Sequence, residues 1–373
     1  MVDRSNAAEA VEDLGQQEFP RPMTAAEIEN HPEYPHTTWT LEPTKAGYAP
    51  VGSGRGGPFK ISYEIHGHGP RKLVWIMGLG GIKSAWQRQT KDFGHKEGDK
   101  YSCLIIDNRG IGHSDKPWMR YSTSQMAEDI VEVLEHIGWT DRRSLHVTGI
   151  SMGGMIAQEL GLLIPKRIAS LNLISTGPYI KNTVGFFENL YNRAMLLCVH
   201  GFCIPRPIDT TLANIKYNLY SDNFLQHPDE LEFTVQPFPT NGDRCMAGEL
   251  HKRSSPALFP KASFILQAIA AGWHYKSPAQ LKQLATLVGP ERIQVVHGTR
   301  DRMVTFPHGE ALLAGLGGEG SGVTWVWLEG QGHVVPIEMR KEFHVLIAGM
   351  VERTRVMEQE IEEEQKEGVA MAW

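Results

Sequence analysis

The sequence predicts an α/β fold, a mostly parallel central sheet flanked by helices, with a helical cap inserted into it. Three observations carry this. Short apolar runs of strand length recur from about residue 60, each bounded by glycine- or turn-rich sequence. Stretches with apolar residues at helical spacing separate them, and strands that alternate with helices imply parallel neighbours covered on both faces. From about Gly177 to Leu287 the alternation stops in favour of helix-like sequence with aromatics and prolines, and it resumes at Ile293.

The elements follow in order. Residues 1–55 are rich in Pro, Glu, Gly and Thr without periodicity, and read as a poorly ordered tail or one draped over the core. Residues 60–66 alternate apolar and polar side chains, as a half-buried strand does. Residues 72–77 form a short apolar run closed by Gly78. A polar helical stretch near Trp86 to Phe93 precedes a strand over residues 101–107, which ends in the turn-rich Asn108-Arg-Gly-Ile-Gly-His-Ser-Asp115. Ser124 is placed as the N-cap of a helix that carries Met126, Ile130, Val133, Leu134 and Ile137 on one face and stops at Gly138. Then come a strand over 144–149, a helix over 152–164 closed by Pro165, and a strand over 168–174. After the interruption, 293–297 and 323–328 are strands with a helix near 309–316 between them, and a last helix runs from about 337 to 357. The chain thus divides into a core (56–178 and 288–357), a cap (179–287) and an acidic C-terminal tail (358–373) read as a charge run in a solvated helix end or disordered segment.

Composition bounds the function classes. The 373 residues allow a full core plus an inserted lobe, and 41% hydrophobic with 21% charged residues is ordinary for a soluble enzyme. A net charge of −6 with scattered basic residues argues against a nucleic-acid partner, which needs a basic face. Cys103, Cys198, Cys203 and Cys245 are few and irregular, fit no zinc spacing and read as free thiols. No apolar leader-like run, no Asn-x-Ser/Thr acceptor and no membrane-span-length apolar stretch occur, so a cytoplasmic protein without a transmembrane segment is expected.

The chemistry is carried by three separated residues. Gly149-Ile-Ser-Met-Gly153 places Ser151 between a predicted strand and a predicted helix. A serine on such a strained turn needs small neighbours two residues away on each side. The strain exposes its hydroxyl, and the helix N-terminus faces developing negative charge. The plain alternative is a mere tight turn. A serine hydroxyl needs a base, and after the last strand Leu328-Glu-Gly-Gln-Gly-His333 presents His333 in a glycine-rich turn. His200, His251, His274 and His297 are weaker candidates by position. The acid that orients the imidazole is expected after the penultimate strand, in His297-Gly-Thr-Arg-Asp301. Asp301 as a turn cap paired with Arg302 is the competing reading. Two backbone N–H groups should form an oxyanion hole: Met152, next to the nucleophile, and Leu79 in Gly78-Leu-Gly-Gly81, with Gly80 as the alternative. Asp107 to Asp115 is read as a turn that shapes the floor of the site.

As an ordered set over residues 60–350, Met77-Gly-Leu-Gly-Gly81, Asp107-Asn-Arg-Gly-Ile-Gly-His-Ser114, Gly149-Ile-Ser-Met-Gly-Gly154, His297-Gly-Thr-Arg-Asp301 and Gly330-Gln-Gly-His333 resemble the α/β-hydrolase superfamily, within it the carboxylesterase and methylesterase-like members. The resemblance implies an α/β-hydrolase fold and a Ser–Asp–His triad in the chain order Ser151, Asp301, His333. Met77 departs from the His that many members carry before the glycine. A Ser nucleophile disfavours epoxide-hydrolase and dehalogenase chemistry, and the lack of a His-x4-Asp pattern after His333 favours transfer to water.

The expected function is hydrolysis of a carboxylic ester through an acyl-enzyme, with no metal or organic cofactor. The runner-up is cleavage of a C–C bond or lactone by the same triad, and outside enzymes a ligand-binding receptor on the same fold. The expected partner is a small ester or lipid-like substrate. Phe186, Phe187, Leu190, Leu196, Leu197, Phe202 and Ile204 in the first half of the cap, with Trp273, His274 and Tyr275 at its end, read as helix packing or as an acyl-binding surface capable of peripheral membrane contact.

Overall fold

A computed structural model describes residues 20–180 and 207–370. Eight strands form one sheet: β1 Lys45–Val51, β2 Phe59–His66, β3 Arg71–Ile76, β4 Tyr101–Ile106, β5 Leu145–Ile150, β6 Ile168–Ile174, β7 Ile293–Gly298 and β8 Thr324–Leu328. Their order across the sheet is β1-β2-β4-β3-β5-β6-β7-β8. The pairs β1–β2 and β2–β4 are antiparallel, and every other pair is parallel. The seven strands from β2 onward lie where the apolar runs predicted them. β4 to β7 are buried along their whole length, which is why they read as continuous apolar runs. Alternate residues serve two cores: Val74 and Ile76 of β3 face one layer, Leu73 and Trp75 the other.

The reading of 1–55 as a tail is corrected for its described part. β1 pairs with β2 from Lys45↔Ile65 to Val51↔Phe59 and buries Ala49 and Val51. Its Gly47 and Pro50 hid the strand pattern. An edge strand tolerates both, since one side of its ladder is unpaired. Helix α1, Ala25–Glu29, is fixed by a Thr24/Glu27 capping box.

On the core, α2 (Thr123–Ile137) and α3 (Met152–Leu163) cover one face. The N-cap of α2 is Ser122 and not Ser124: Ser122 has the extended backbone a cap needs and accepts from Gln125 N–H, while Ser124 lies inside the first turn and bonds the Ser122 hydroxyl. Gly138 ends α2 at φ 78°, as expected.

The inserted region supplies α4 (Ile208–Leu219), α5 (Asp222–Gln226), α6 (Asn241–Arg253) and α7 (Lys261–Gly272). The next helix, α8 (Pro278–Val288), fell within the expected cap. It belongs with the core, because Leu281, Leu284, Ala285 and Val288 pack in one cluster with Ile156 and Leu160 of α3. Ala25 and Ile28 of α1 pack with Leu212, Ile215, Met246 and Leu250 of α4 and α6, so the N-terminal segment is part of the cap lobe. The seven apolar cap residues from Phe186 to Ile204 lie outside the described residues, as do His200, Cys198 and Cys203. After α9 (Phe306–Gly315) and the single turn α10 (Val335–Glu338), α11 (Arg340–Ala370) lays Phe343, Ile347 and Val351 on the other sheet face. It carries the acidic run as helix.

Candidate active site

Ser151, Asp301 and His333 follow β5, β7 and β8 at the carboxyl edge of the parallel part of the sheet. Ser151 sits at φ 56° and ψ −124° between β5 and α3, a conformation unfavourable for an L-residue. Sterics explain the glycines. A Cβ on Gly149 would lie 2.2 Å from the Gly153 carbonyl oxygen, and one on Gly153 would lie 2.2 Å from that of Ile76. The elbow is pinned by Ser151 N–H to the Ile174 oxygen (2.9 Å) and by the Thr176 hydroxyl to the Ser151 oxygen (2.8 Å).

Asp301 is fully buried at its carboxylate. Oδ1 accepts from the N–H groups of Met303 (2.8 Å) and Val304 (2.9 Å), and Oδ2 accepts from His333 Nδ1 at 2.7 Å. The carboxylate caps its turn with one oxygen and bonds the His333 imidazole with the other. Arg302 is not its partner, because that guanidinium pairs with Asp222 at 2.8 Å. Burial would raise the Asp301 pKa, but the charge and hydrogen bonds of His333 and His297 outweigh it and hold the carboxyl well below the usual carboxylate range. His297 is the residue the sequence reading set aside. Its Nε2 lies 2.7 Å from the Val304 oxygen and 3.3 Å from Asp301 Oδ2, so it braces the acid from the far side. Its signal was its place four residues before Asp301, on the preceding strand.

The turn carrying His333 is laced to its surroundings. Arg300 N–H donates to the Gln331 oxygen (2.9 Å), and Gly330 N–H to the Thr299 hydroxyl (2.9 Å). From the cap, the Leu219 oxygen accepts the N–H of His333 itself at 2.9 Å. Glu338 Oε2 accepts from Gly332 N–H (3.1 Å) and from the Ser221 hydroxyl (2.6 Å), joining the turn to the cap a second time. Burial raises the Glu338 carboxyl above its ordinary value, against the hydrogen bonds that favour its charged form. Sequence reasoning missed Glu338 and Ser221; their 117-residue separation leaves no local signal.

The glycine loop after β3 meets the elbow directly. A Cβ on Gly78 would come 2.9 Å from Ser151 Cβ and 3.5 Å from its Oγ. Gly81 N–H closes the turn onto the Gly78 oxygen at 3.1 Å. Gly80 N–H, the alternative donor, is engaged by Gln267 Oε1 at 3.0 Å. Neither Leu79 N–H nor Met152 N–H is occupied by a hydrogen bond among the described residues. The Asp107–Asp115 turn is internally bonded: Asp107 accepts from the N–H groups of Lys83 (2.7 Å) and His113 (2.9 Å). His274 is buried against the Thr123 hydroxyl, and His251 bonds Thr38, so neither joins the site. Among the described residues no group of His, Cys, Asp and Glu side chains is arranged to hold a metal.

Comparison with known proteins agrees with this architecture. The family model for the alpha/beta hydrolase fold matches residues 73–202. A 3-oxoadipate enol-lactonase from Acinetobacter baylyi is 31% identical over 172 residues, 46% of this chain and 58% of that protein. The first curated relatives are matched over less than half of their own length. Among solved structures, a thermophilic esterase from Thermogutta terrifontis superposes with a TM-score of 0.63 at 17% identity, covering 83% of this chain and 99% of that one. A meta-cleavage product hydrolase from Pseudomonas fluorescens gives 0.62 at 16% identity, covering 85% and 100%. The chain has the α/β-hydrolase fold, with esterases among its structural relatives.

Proposed function

We propose that this protein hydrolyses a carboxylic ester of a small molecule through a serine acyl-enzyme. The observation that carries the reading is the buried 2.7 Å bond from His333 Nδ1 to Asp301 Oδ2. A proton fixed on Nδ1 leaves Nε2 as the basic nitrogen. In the first half-reaction His333 takes the proton of the Ser151 hydroxyl as its oxygen attacks the ester carbonyl. The charge on the carbonyl oxygen is met by the N–H groups of Leu79 and Met152, and α3 adds the positive end of its dipole. Collapse of the intermediate breaks the C–O bond, with His333 returning the proton to the leaving alcohol. Water then attacks the acyl-enzyme with the same imidazole as base, and Ser151 is regenerated. Asp301 stays ionised throughout and stabilises the imidazolium.

A lactone is a cyclic ester and would enter the same cycle, a reading favoured by the enol-lactonase among the relatives. No helix among the described residues is long and apolar enough to cross a membrane. The test is turnover of short p-nitrophenyl esters and of a lactone by the wild type and by Ser151→Ala. Loss of at least about a thousandfold in kcat is expected; unchanged turnover by Ser151→Ala would overturn the reading.

A further inference from the structure

The glycine turn after β3 reaches the elbow from one side, and its outer side is held by the cap. Gln267 lies on α7, is 0% exposed and spans two loops of the core. Its Oε1 accepts Gly80 N–H at 3.0 Å and its Nε2 donates to the Arg109 oxygen at 2.9 Å. Arg109 is itself immobilised, with two guanidinium nitrogens each 2.6 Å from Asp129 carboxylate oxygens. From the same loop Asn108 Nδ2 donates to the Met77 oxygen at 2.9 Å. The turn 77–81 is therefore tied at both ends to one rigid loop, directly through Asn108 and through the cap by Gln267. The Phe259 and Phe264 rings press on Gly80, where an added Cβ would lie within 3.0 Å of them.

This has a consequence for the neighbouring peptide. The Gly78 oxygen points into the turn, toward Gly81 N–H. In a trans peptide the N–H points opposite to the carbonyl, so Leu79 N–H is turned outward from the turn. Gln267 holds the next peptide, Leu79–Gly80, and the Gly81 N–H bond to the Gly78 oxygen holds this one, so the two are kept together within one turn.

The geometry points to Gln267 as a positioning residue, carried by the cap, that sets the direction of the Leu79 N–H in the oxyanion hole. It touches no reacting atom. The cap is then part of the catalytic device, and a cap displaced from the core would leave Leu79 N–H unaimed. The inference rests on the ester-hydrolase reading above.

Gln267→Leu keeps the size of the side chain and removes both hydrogen bonds. A fall in kcat of about tenfold or more is expected for p-nitrophenyl butyrate, with KM changed by no more than about threefold, since donors aimed at the oxyanion act on the transition state. Gln267→Glu gives a sharper readout. Ionised, it still accepts from Gly80 N–H but cannot donate to Arg109, and it brings negative charge near the developing oxyanion. Protonated, it regains both bonds. The kcat of Gln267→Glu relative to wild type, measured pH by pH, is expected to rise as pH falls. The melting temperature of Gln267→Glu is read beside it: a role in cap stability alone would make kcat follow the melting temperature and would appear in KM as well. The inference is overturned if both variants keep kcat within about twofold of wild type, if the loss lies in KM, or if the ratio is flat. Should Gln267→Leu fail to fold, the rate of fluorophosphonate labelling of Gln267→Glu decides in the same way. Ser151→Ala separates the two layers: with that variant inactive and the Gln267 variants at wild-type rates, only the positioning role falls. Full activity in Ser151→Ala sinks both.

Discussion

The two halves of the site are built by different means. On the nucleophile side, the elbow at Ser151 is held by backbone against backbone: Gly149 and Gly153 are required because carbonyl oxygens lie in the way. On the acid–base side, Asp301 and His333 are held by polar side chains and by the cap: His297, Glu338, Ser221 and the Leu219 carbonyl. A steric constraint leaves a trace in the residue types of the motif itself. A hydrogen-bonded constraint is spread over the chain and leaves none.

The contrast predicts how each half fails. The largest effect is expected from Asp301→Asn, which keeps the shape but no longer favours a proton on His333 Nδ1; kcat should fall by about 10⁴ with folding retained, read by steady-state kinetics beside a melting curve. Gly153→Ala strikes the other half through the fold. Its Cβ has a backbone oxygen 2.2 Å away, so a loss of about 3 kcal/mol or more in urea unfolding is expected. Wild-type stability in that variant would break the claim that the elbow is sterically set.

Acid should separate the halves again. On β5, burial lowers the His146 pKa to about 3, whereas the unfolded chain protonates it near 6.5. The unfolded state then binds more protons in that window, so stability falls as pH drops, by about 2 kcal/mol between pH 7.5 and 5. His146→Gln should flatten the melting temperature across that range. Asp301 has the same sign as His146, at lower pH. With its folded pKa depressed, its contribution is present above the unfolded value and is lost only as pH falls through the folded one, below the range of that experiment. The smallest effect belongs to Glu338→Gln. It should lower kcat about tenfold with little change in melting temperature, because it loosens the turn of His333 without removing a reacting group. An unchanged kcat would mean that the Leu219 carbonyl alone suffices.

The fold was legible where burial made it so. β4 to β7 read as strands because both their faces are covered, whereas β1, an edge strand with Gly47 and Pro50, passed for a tail. The candidate triad was legible from position: a serine within Gly-x-Ser-x-Gly after one strand, an aspartate and a histidine in turns after two later ones. Gln267 was invisible because its partner at Gly80 is 187 residues away and because a glutamine on an apolar helix face carries no signature of its task. The boundary of the cap was misplaced for a related reason. The apolar face of α8 looks the same in sequence whether it packs on the cap or on α3.

The central claim is that Ser151 is the attacking atom's residue and that His333 makes it so. Its most direct measurement is intact and peptide mass spectrometry after treatment with a fluorophosphonate, on the wild type, Ser151→Ala and His333→Ala. A single adduct on Ser151 is predicted in the wild type, none in Ser151→Ala, and a labelling rate at least about a hundredfold lower in His333→Ala. An adduct on another residue, or labelling of Ser151 that is indifferent to His333, would contradict it.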